Sequence, residues 1–185
     1  MKPTDELKIE HQAIKRMLKV MAGACGRLEK GTAVEAGHLE TIVDFIQVFA
    51  DKCHHGKEED LLFPAMFAAG FSRDQGPIAV MLAEHTQGRA SVRKIKEAAA
   101  AYRSAHPGAA AEIARNARAY IGLLGPHIDK EDMILYPMAD QALSAAVQEH
   151  LIRAFERVEN EIIGAGRHER YQALIEELEG IYLTD

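Results

Sequence analysis

The sequence has few of the features that mark secreted, membrane or nucleic-acid-binding proteins. Its two cysteines, Cys25 and Cys53, cannot build a disulfide framework and suit a reducing compartment. It shows no secretory leader and no apolar run long enough to cross a bilayer. No cluster of Lys or Arg offsets the net charge of -6, which argues against a nucleic-acid partner. These absences predict a cytoplasmic protein with neither a membrane nor a nucleic-acid partner.

Alternating runs of β-branched residues, the usual signal of strands, are absent as well. Apolar residues instead recur at spacings of three and four, as on the buried face of a helix. Four such segments with short connections predict an all-α fold, an antiparallel up-down four-helix bundle over residues 1–142. Residues 143–185 are predicted to form two additional C-terminal helices, interrupted at Gly164-Ala165-Gly166. We expect this extension to pack on the bundle or against a second copy of the chain in a homodimer.

The chain contains one sequence pattern twice. Residues 54–64 and residues 127–137 both read His-x-x-Lys-Glu-acid-x-x-Leu-aromatic-Pro. A Glu-His pair precedes each copy, at Glu10-His11 and at Glu84-His85. Internal repetition of this kind indicates two half-domains built on one plan, here His…His-x-x-x-Glu.

The repeated residues face the predicted core. In an α-helix, residues four apart lie on one face, so His54 and Glu58 point the same way as the apolar seam. His55 lies about 100° around the helix and shares a polar face with Glu59. We therefore predict His55 and Glu59 to be a solvated pair, while His55, Glu59 and Asp132 stay open as alternative ligands. The same reasoning over both halves gives six candidate metal ligands: His11, His54, Glu58, His85, His127 and Glu131.

The candidate ligands narrow the choice of metal. Four imidazoles, two carboxylates and no thiolate suit iron or manganese, whereas zinc prefers about four ligands. A carboxylate has two oxygens to share between cations, and a buried pair of glutamates without cations would carry a large desolvation and repulsion cost. Two iron ions that share the six side chains and an oxo or hydroxo bridge would leave a coordination position open for a small ligand. Ferritin-type bundles use Glu-x-x-His, a spacing that neither Glu-His pair shows.

Residues beside the candidate ligands carry weaker signals. Glu10 and Glu84 each precede a histidine and either accept a hydrogen bond behind a ligand or remain surface charges. Gly125-Pro126, directly before His127, predicts a kink or a widened turn, because proline removes a helical hydrogen bond.

The paired motifs resemble the cation-binding signature of the hemerythrin-like (HHE) family, over roughly residues 5–140. The resemblance implies a non-haem di-iron centre in a four-helix bundle, with the four histidines as terminal ligands and the two glutamates bridging. Oxygen carriers of that family have a fifth histidine one turn after the third-helix ligand, and Arg89 stands there in this sequence. They also use His-x-x-x-x-Asp in the fourth helix, a spacing that Asp132 fits. The symmetric set more closely resembles the di-iron proteins of nitric-oxide response and iron-centre repair.

These observations predict a protein that binds or reacts with a small ligand, O2, NO or peroxide, and that exchanges electrons with a redox partner of unknown identity. The alternative is an iron- or redox-responsive sensor or interaction module without turnover. The prediction that Glu58 and Glu131 face the core, and Glu59 and Asp132 do not, also gives the expected outcome of four substitutions. Glu58→Ala and Glu131→Ala should lose metal, whereas Glu59→Ala and Asp132→Ala should retain it.

Overall fold

The structure is a computed structural model that describes residues 1–162, 164 and 167–184. Within these residues the chain forms six helices and no strand, so the all-α prediction is confirmed. Their bounds are α1 (Pro3–Glu29), α2 (Ala36–Phe45, Ile46–His55, Glu58–Leu62 and Phe63–Ala68 in succession), α3 (Pro77–Arg103), α4 (Ala109–Lys130, Glu131–Leu135 and Tyr136–Ala142), α5 (Ala145–Ile162) and α6 (Arg167–Tyr182).

Two of these helices contain widened π-type turns, over Ile46–His55 and Glu58–Leu62 in α2 and over Glu131–Leu135 in α4. The prolines of the repeat explain two of the three. The N–H of Phe63, just before Pro64, bonds the carbonyl of Glu58 five residues back. The N–H of Tyr136 bonds the carbonyl of Glu131 in the same way. Single π turns inside α-helices are frequent at functional sites.

The widened turn predicted at Gly125-Pro126 lies elsewhere. Pro126 stays inside the α-helical part of α4, and the π turn begins at Glu131. The proline next to the widened turn is therefore Pro137, which ends the repeat. It has no N–H, so the helical hydrogen bonds are interrupted directly after the turn.

The core consists of two apolar clusters at opposite ends of the first four helices. One cluster contains Ile14, Cys53, Val92 and Leu124, together with many neighbours. The other contains Leu7, Leu62, Ile78 and Leu135. Along each helix the candidate ligands fall at the boundary between its contributions to the two clusters, so they occupy a buried layer between two apolar ones.

The C-terminal helices pack on the rest of their own chain. Phe155 of α5 joins the cluster around Leu62, and Ile175 of α6 joins the larger cluster. At Gly23 a Cβ atom would collide with the carbonyl oxygen of Tyr182, so only glycine allows this approach of α6 to α1. The predicted break includes Gly164, which has a φ of 76°, whereas Ala165 and Gly166 lie outside the described residues. The homodimer and the boundary at residue 142 stay predictions.

None of the helices in the described ranges combines the length and the apolar character that a membrane span requires.

Candidate metal centre

The structure brings all six predicted ligands into one buried group. None of these side chains is more than 1% exposed. Glu131 is central: its Oε2 lies 3.2 Å from His11 Nε2, and its Oε1 lies 3.1 Å from His127 Nε2. Glu58 Oε2 lies 3.4 Å from His85 Nε2 and 3.9 Å from His54 Nε2. Helices α1 to α4 each contribute, as the repeat predicted.

The donor atoms form overlapping groups of the size that a metal ion requires. The donor atoms of His11, His54 and Glu131 lie within 4.8 Å of one another, and so do those of Glu58, His85 and Glu131. Glu131 belongs to both groups, so its carboxylate is shared between them. A third group joins His55 to His85 and His127.

Each candidate histidine is held from behind by a carboxylate. The Nδ1 atoms of His11, His54 and His85 lie 2.7 Å from oxygens of Asp132, Glu10 and Glu59, respectively. The Nδ1 of His127 lies 2.8 Å from Glu84 Oε2. Histidine ligands of metals almost always donate their second N–H to such a partner, which fixes the ring and its tautomer.

These outer contacts follow the repeat in two ways. The glutamate of each Glu-His pair holds the histidine of the long motif in its own half, as Glu10 holds His54. The acid of each long motif holds the first histidine of the other half, as Asp132 holds His11. Glu10 and Glu84 are therefore acceptors behind candidate ligands and not free surface charges.

A ring that donates its Nδ1–H outward presents its Nε2 to the centre. The Nε2 atoms of His85 and His127 face each other at 3.0 Å. In the part of the chain that the structure describes, His54 Nε2, Glu58 Oε2 and both oxygens of Glu131 have no hydrogen-bond partner. A cation placed among these converging lone pairs would compensate for their burial. The residues therefore fit a metal centre.

Without a metal, protons take the place of that cation. Burial, together with the charge of Glu131, raises the pKa of Glu58 well above its usual range. Burial alone would also raise the pKa of Glu131, but the nearby rings of His11, His127 and His85 lower it well below its usual range. Burial would lower the pKa of His11, and its carboxylate partners raise it instead. Binding of a metal must displace such protons.

Sequence reasoning missed the lysine of the repeat. Lys57 is fully buried, and its Nζ lies 2.5 Å from Glu10 Oε1, 2.6 Å from Glu6 Oε1 and 3.3 Å from Glu159 Oε2. In the second half, Lys130 contacts Glu84. Each lysine thus contacts a glutamate that in turn contacts a candidate ligand: Lys57 contacts Glu10 behind His54, and Lys130 contacts Glu84 behind His127. The available signal was a lysine at the same place in both copies.

The aromatic residue of the repeat was missed as well. The hydroxyl of Tyr136 donates a 2.8 Å hydrogen bond to Glu58 Oε1 and lies 3.4 Å from His11 Nε2. The corresponding residue in the first copy is Phe63, which has no hydroxyl. The two carboxylates therefore differ in their surroundings although their sequence motifs match.

The prediction that His55 and Glu59 form a solvated pair is wrong. His55 is only 5% exposed, its ring stacks on His85 with centroids 3.9 Å apart, and its Nδ1 lies 3.3 Å from Asp51 Oδ1. Burial lowers the pKa of His55 to about 3. Glu59 instead accepts hydrogen bonds from His85 and Arg89. The π turns in α2 rotate these side chains away from the 100° spacing of an α-helix, because each wide turn holds an extra residue.

The outer carboxylates lead to a revised prediction. Glu59→Ala and Asp132→Ala should each lower the affinity for metal about 10–100-fold, because His85 and His11 lose the partners that orient them. The number of ions bound at saturation should not change. Competition titration with a chelator measures both quantities. Asp60→Ala, at an exposed neighbouring position, is the matched control, and an unchanged affinity in Glu59→Ala would contradict the assigned role.

Comparison with known proteins agrees with this site. The model of the hemerythrin HHE cation-binding domain matches residues 2–139. Three uncharacterized proteins, one of Mycobacterium bovis and two of strains of Mycobacterium tuberculosis, are each 26% identical over 160 residues. The alignments cover 86% of this chain but only 62% of each relative. No solved structure matches the chain significantly. Because the family match includes every candidate ligand, the chain belongs to the hemerythrin HHE cation-binding domain family.

Proposed function

We propose that α1 to α4 form an antiparallel up-down four-helix bundle that holds two iron ions and that the centre binds or reacts with O2, NO or peroxide. The observation that carries the proposal is the convergence of four Nε2 atoms on two buried carboxylates, with every Nδ1 held outward. Family membership supports a cation at this place. The absence of thiolate from the donor set favours iron or manganese over softer metals.

The two groups of donor atoms suggest how the ions would be held. His11 and His54 would serve one ion, and His85 and His127 the other. Glu131 lies within reach of both pairs, and Glu58 lies between His54 and His85. Both carboxylates would therefore bridge, which is also the arrangement that the resemblance implies.

The protein's own residues exclude water from the centre, orient the candidate ligands and place one hydroxyl group beside them. Bound iron would supply a redox-active Lewis acid with exchangeable coordination positions. The apolar layers on either side exclude bulk water from the six side chains. Tyr136 places a hydroxyl beside Glu58 and His11. This hydroxyl can donate its hydrogen bond either to Glu58 or to a bound small ligand. The proposal includes a cytoplasmic location and a redox partner.

The direct test is the response of the iron-loaded protein to candidate ligands. Protein loaded with Fe²⁺ without air should retain two ions per chain and should develop new visible absorption bands with at least one of O2, NO and H2O2. The ligand that reacts fastest identifies the function. An iron-loaded protein whose spectrum none of the three changes would overturn the reactive-centre proposal.

One observation favours the alternative, a sensor or interaction module. Lys57 connects Glu159 of α5 to Glu10, which holds His54. A change of charge at the centre can therefore reach α5 through three side chains. Hydrogen exchange of residues 145–162 in the reduced and oxidised iron forms tests this coupling. A sensor requires different protection in the two forms, whereas equal protection would eliminate it.

A further inference from the structure

A cavity of about 170 Å³ lies beside the candidate metal centre, between α2, α3 and α4. Its lining includes Asp51 and His55 from α2, Gly88 and Arg89 from α3, and Tyr120 from α4. None of the six candidate ligands lines it. The cavity is therefore a separate feature of the molecule, on the side of the centre where His85 lies.

Single side chains separate this cavity from two candidate ligands. His55 forms part of its wall and stacks on His85 with ring centroids 3.9 Å apart. Glu84 forms another part, and its Oε2 lies 2.8 Å from His127 Nδ1. A molecule in the cavity would thus be one side chain away from the histidines of one half of the centre.

Each charged group of the lining already contacts a group of opposite charge. Asp51 Oδ1 lies 2.7 Å from Arg89 Nε, and Glu84 contacts Lys130. An anion entering the cavity would meet the carboxylates of Asp51 and Glu84, and Arg89 is already engaged by Asp51 and Glu59. The lining therefore favours a neutral occupant.

Glycine at position 88 leaves the space open. A Cβ atom placed there would contact Tyr120 Cε2 at 3.5 Å and Leu123 Cδ2 at 4.0 Å, so a longer side chain would have to extend into the cavity. Pockets for drug-sized ligands measure roughly 300–1,000 Å³, well above this volume. A cavity of roughly 150 Å³ is large enough for xenon or benzene. The size suits a molecule of a few atoms.

We propose that this cavity receives a neutral diatomic or triatomic molecule and delivers it to the centre past the ring of His55, and that Gly88 keeps this route open. The inference rests on the proposed function of the centre and names its entry route. Arg89 acts as a positioning residue, since it ties Asp51 and Glu59 together at the mouth of the cavity.

The first experiment compares Gly88→Leu with Gly122→Leu. Gly122 is an exposed glycine inside α4 with open space around it, so it controls for the effect of replacing a helical glycine. In Gly88→Leu the rate constant for reaction of the reduced iron protein with NO or O2, measured by stopped flow, should fall at least about tenfold, because a blocked path slows association. Iron content should stay at two ions per chain. A wild-type rate in Gly88→Leu with its iron intact would overturn the proposal.

The second experiment does not depend on iron. Crystals of the wild-type protein under xenon pressure should show xenon in the cavity, and crystals of Gly122→Leu should show the same. No xenon in the wild-type cavity would overturn the proposed route. If the protein binds xenon there but does not retain iron, the proposed function of the centre fails while the cavity stands. The two failures are therefore distinguishable.

Discussion

Glu58→Gln and Glu131→Gln are each expected to lower the affinity for iron by more than about 100-fold, beyond the loss typical for an outer hydrogen-bond partner. Glu131 approaches His11 and His127 with different oxygens, and Glu58 turns its Oε2 toward both His54 and His85. An amide has one oxygen and one NH2 group, so it cannot bridge two cations with two lone-pair atoms. The measurement is iron content after loading and desalting.

The stability of the metal-free protein separates loss of metal from loss of folding in Glu58→Gln. Burial and the charge of Glu131 raise the pKa of Glu58, which favours the neutral acid without metal, and Gln is a neutral side chain of the same shape. Glu58→Gln should therefore leave the free energy of unfolding of the metal-free protein nearly unchanged. Asp60→Asn, two residues further along and exposed, is the matched control and should retain two ions. Retention of two ions by Glu58→Gln would show that this residue does not bridge.

Lys57→Met is expected to destabilise the protein by about 3–5 kcal/mol, because it removes one partner of a buried ion network and leaves the others uncompensated. The ammonium group of Lys57 is fully buried between Glu6, Glu10 and Glu159. These carboxylates form a group that has the spacing of a cation site, and Lys57 already supplies the positive charge. Urea unfolding of the metal-free proteins measures the difference.

The second half of the repeat supplies the control for this experiment. Lys130 occupies the same place in the motif and contacts Glu84, but its side chain is 36% exposed. Exposed ion pairs contribute about 0–1 kcal/mol, so Lys130→Met should change the free energy of unfolding by no more than that. Equal losses in Lys57→Met and Lys130→Met would contradict the assigned role of burial.

The six candidate ligands could be predicted from the sequence because the repeat places them on apolar helix faces twice. That argument needs only the period of an α-helix and a comparison of the two halves. The all-α fold follows from the same periodicity. The outer carboxylates are only partly predictable from the sequence. Glu10 and Glu84 stand beside histidines in both halves, but the contacts of Asp132 with His11 and of Glu59 with His85 join distant segments and depend on how the helices pack.

The differences between the halves were beyond sequence reasoning of this kind. Phe63 and Tyr136 read alike as aromatic residues, yet only the tyrosine reaches Glu58. Lys57 and Lys130 read alike as cations, yet α5 covers only the first, with Phe155 and Glu159 beside it. His55 was misplaced because the period of an α-helix does not apply in the widened turns of α2. Each difference arises from tertiary packing or backbone geometry that the motif does not encode.

The most direct test of the central claim is anomalous diffraction from crystals of the iron-loaded protein, with data collected on both sides of the iron absorption edge. We predict two iron peaks among His11, His54, Glu58, His85, His127 and Glu131, with both glutamates between them. A single peak in this group, or iron at Glu6, Glu10 and Glu159 instead, would contradict the assignment of a di-iron centre.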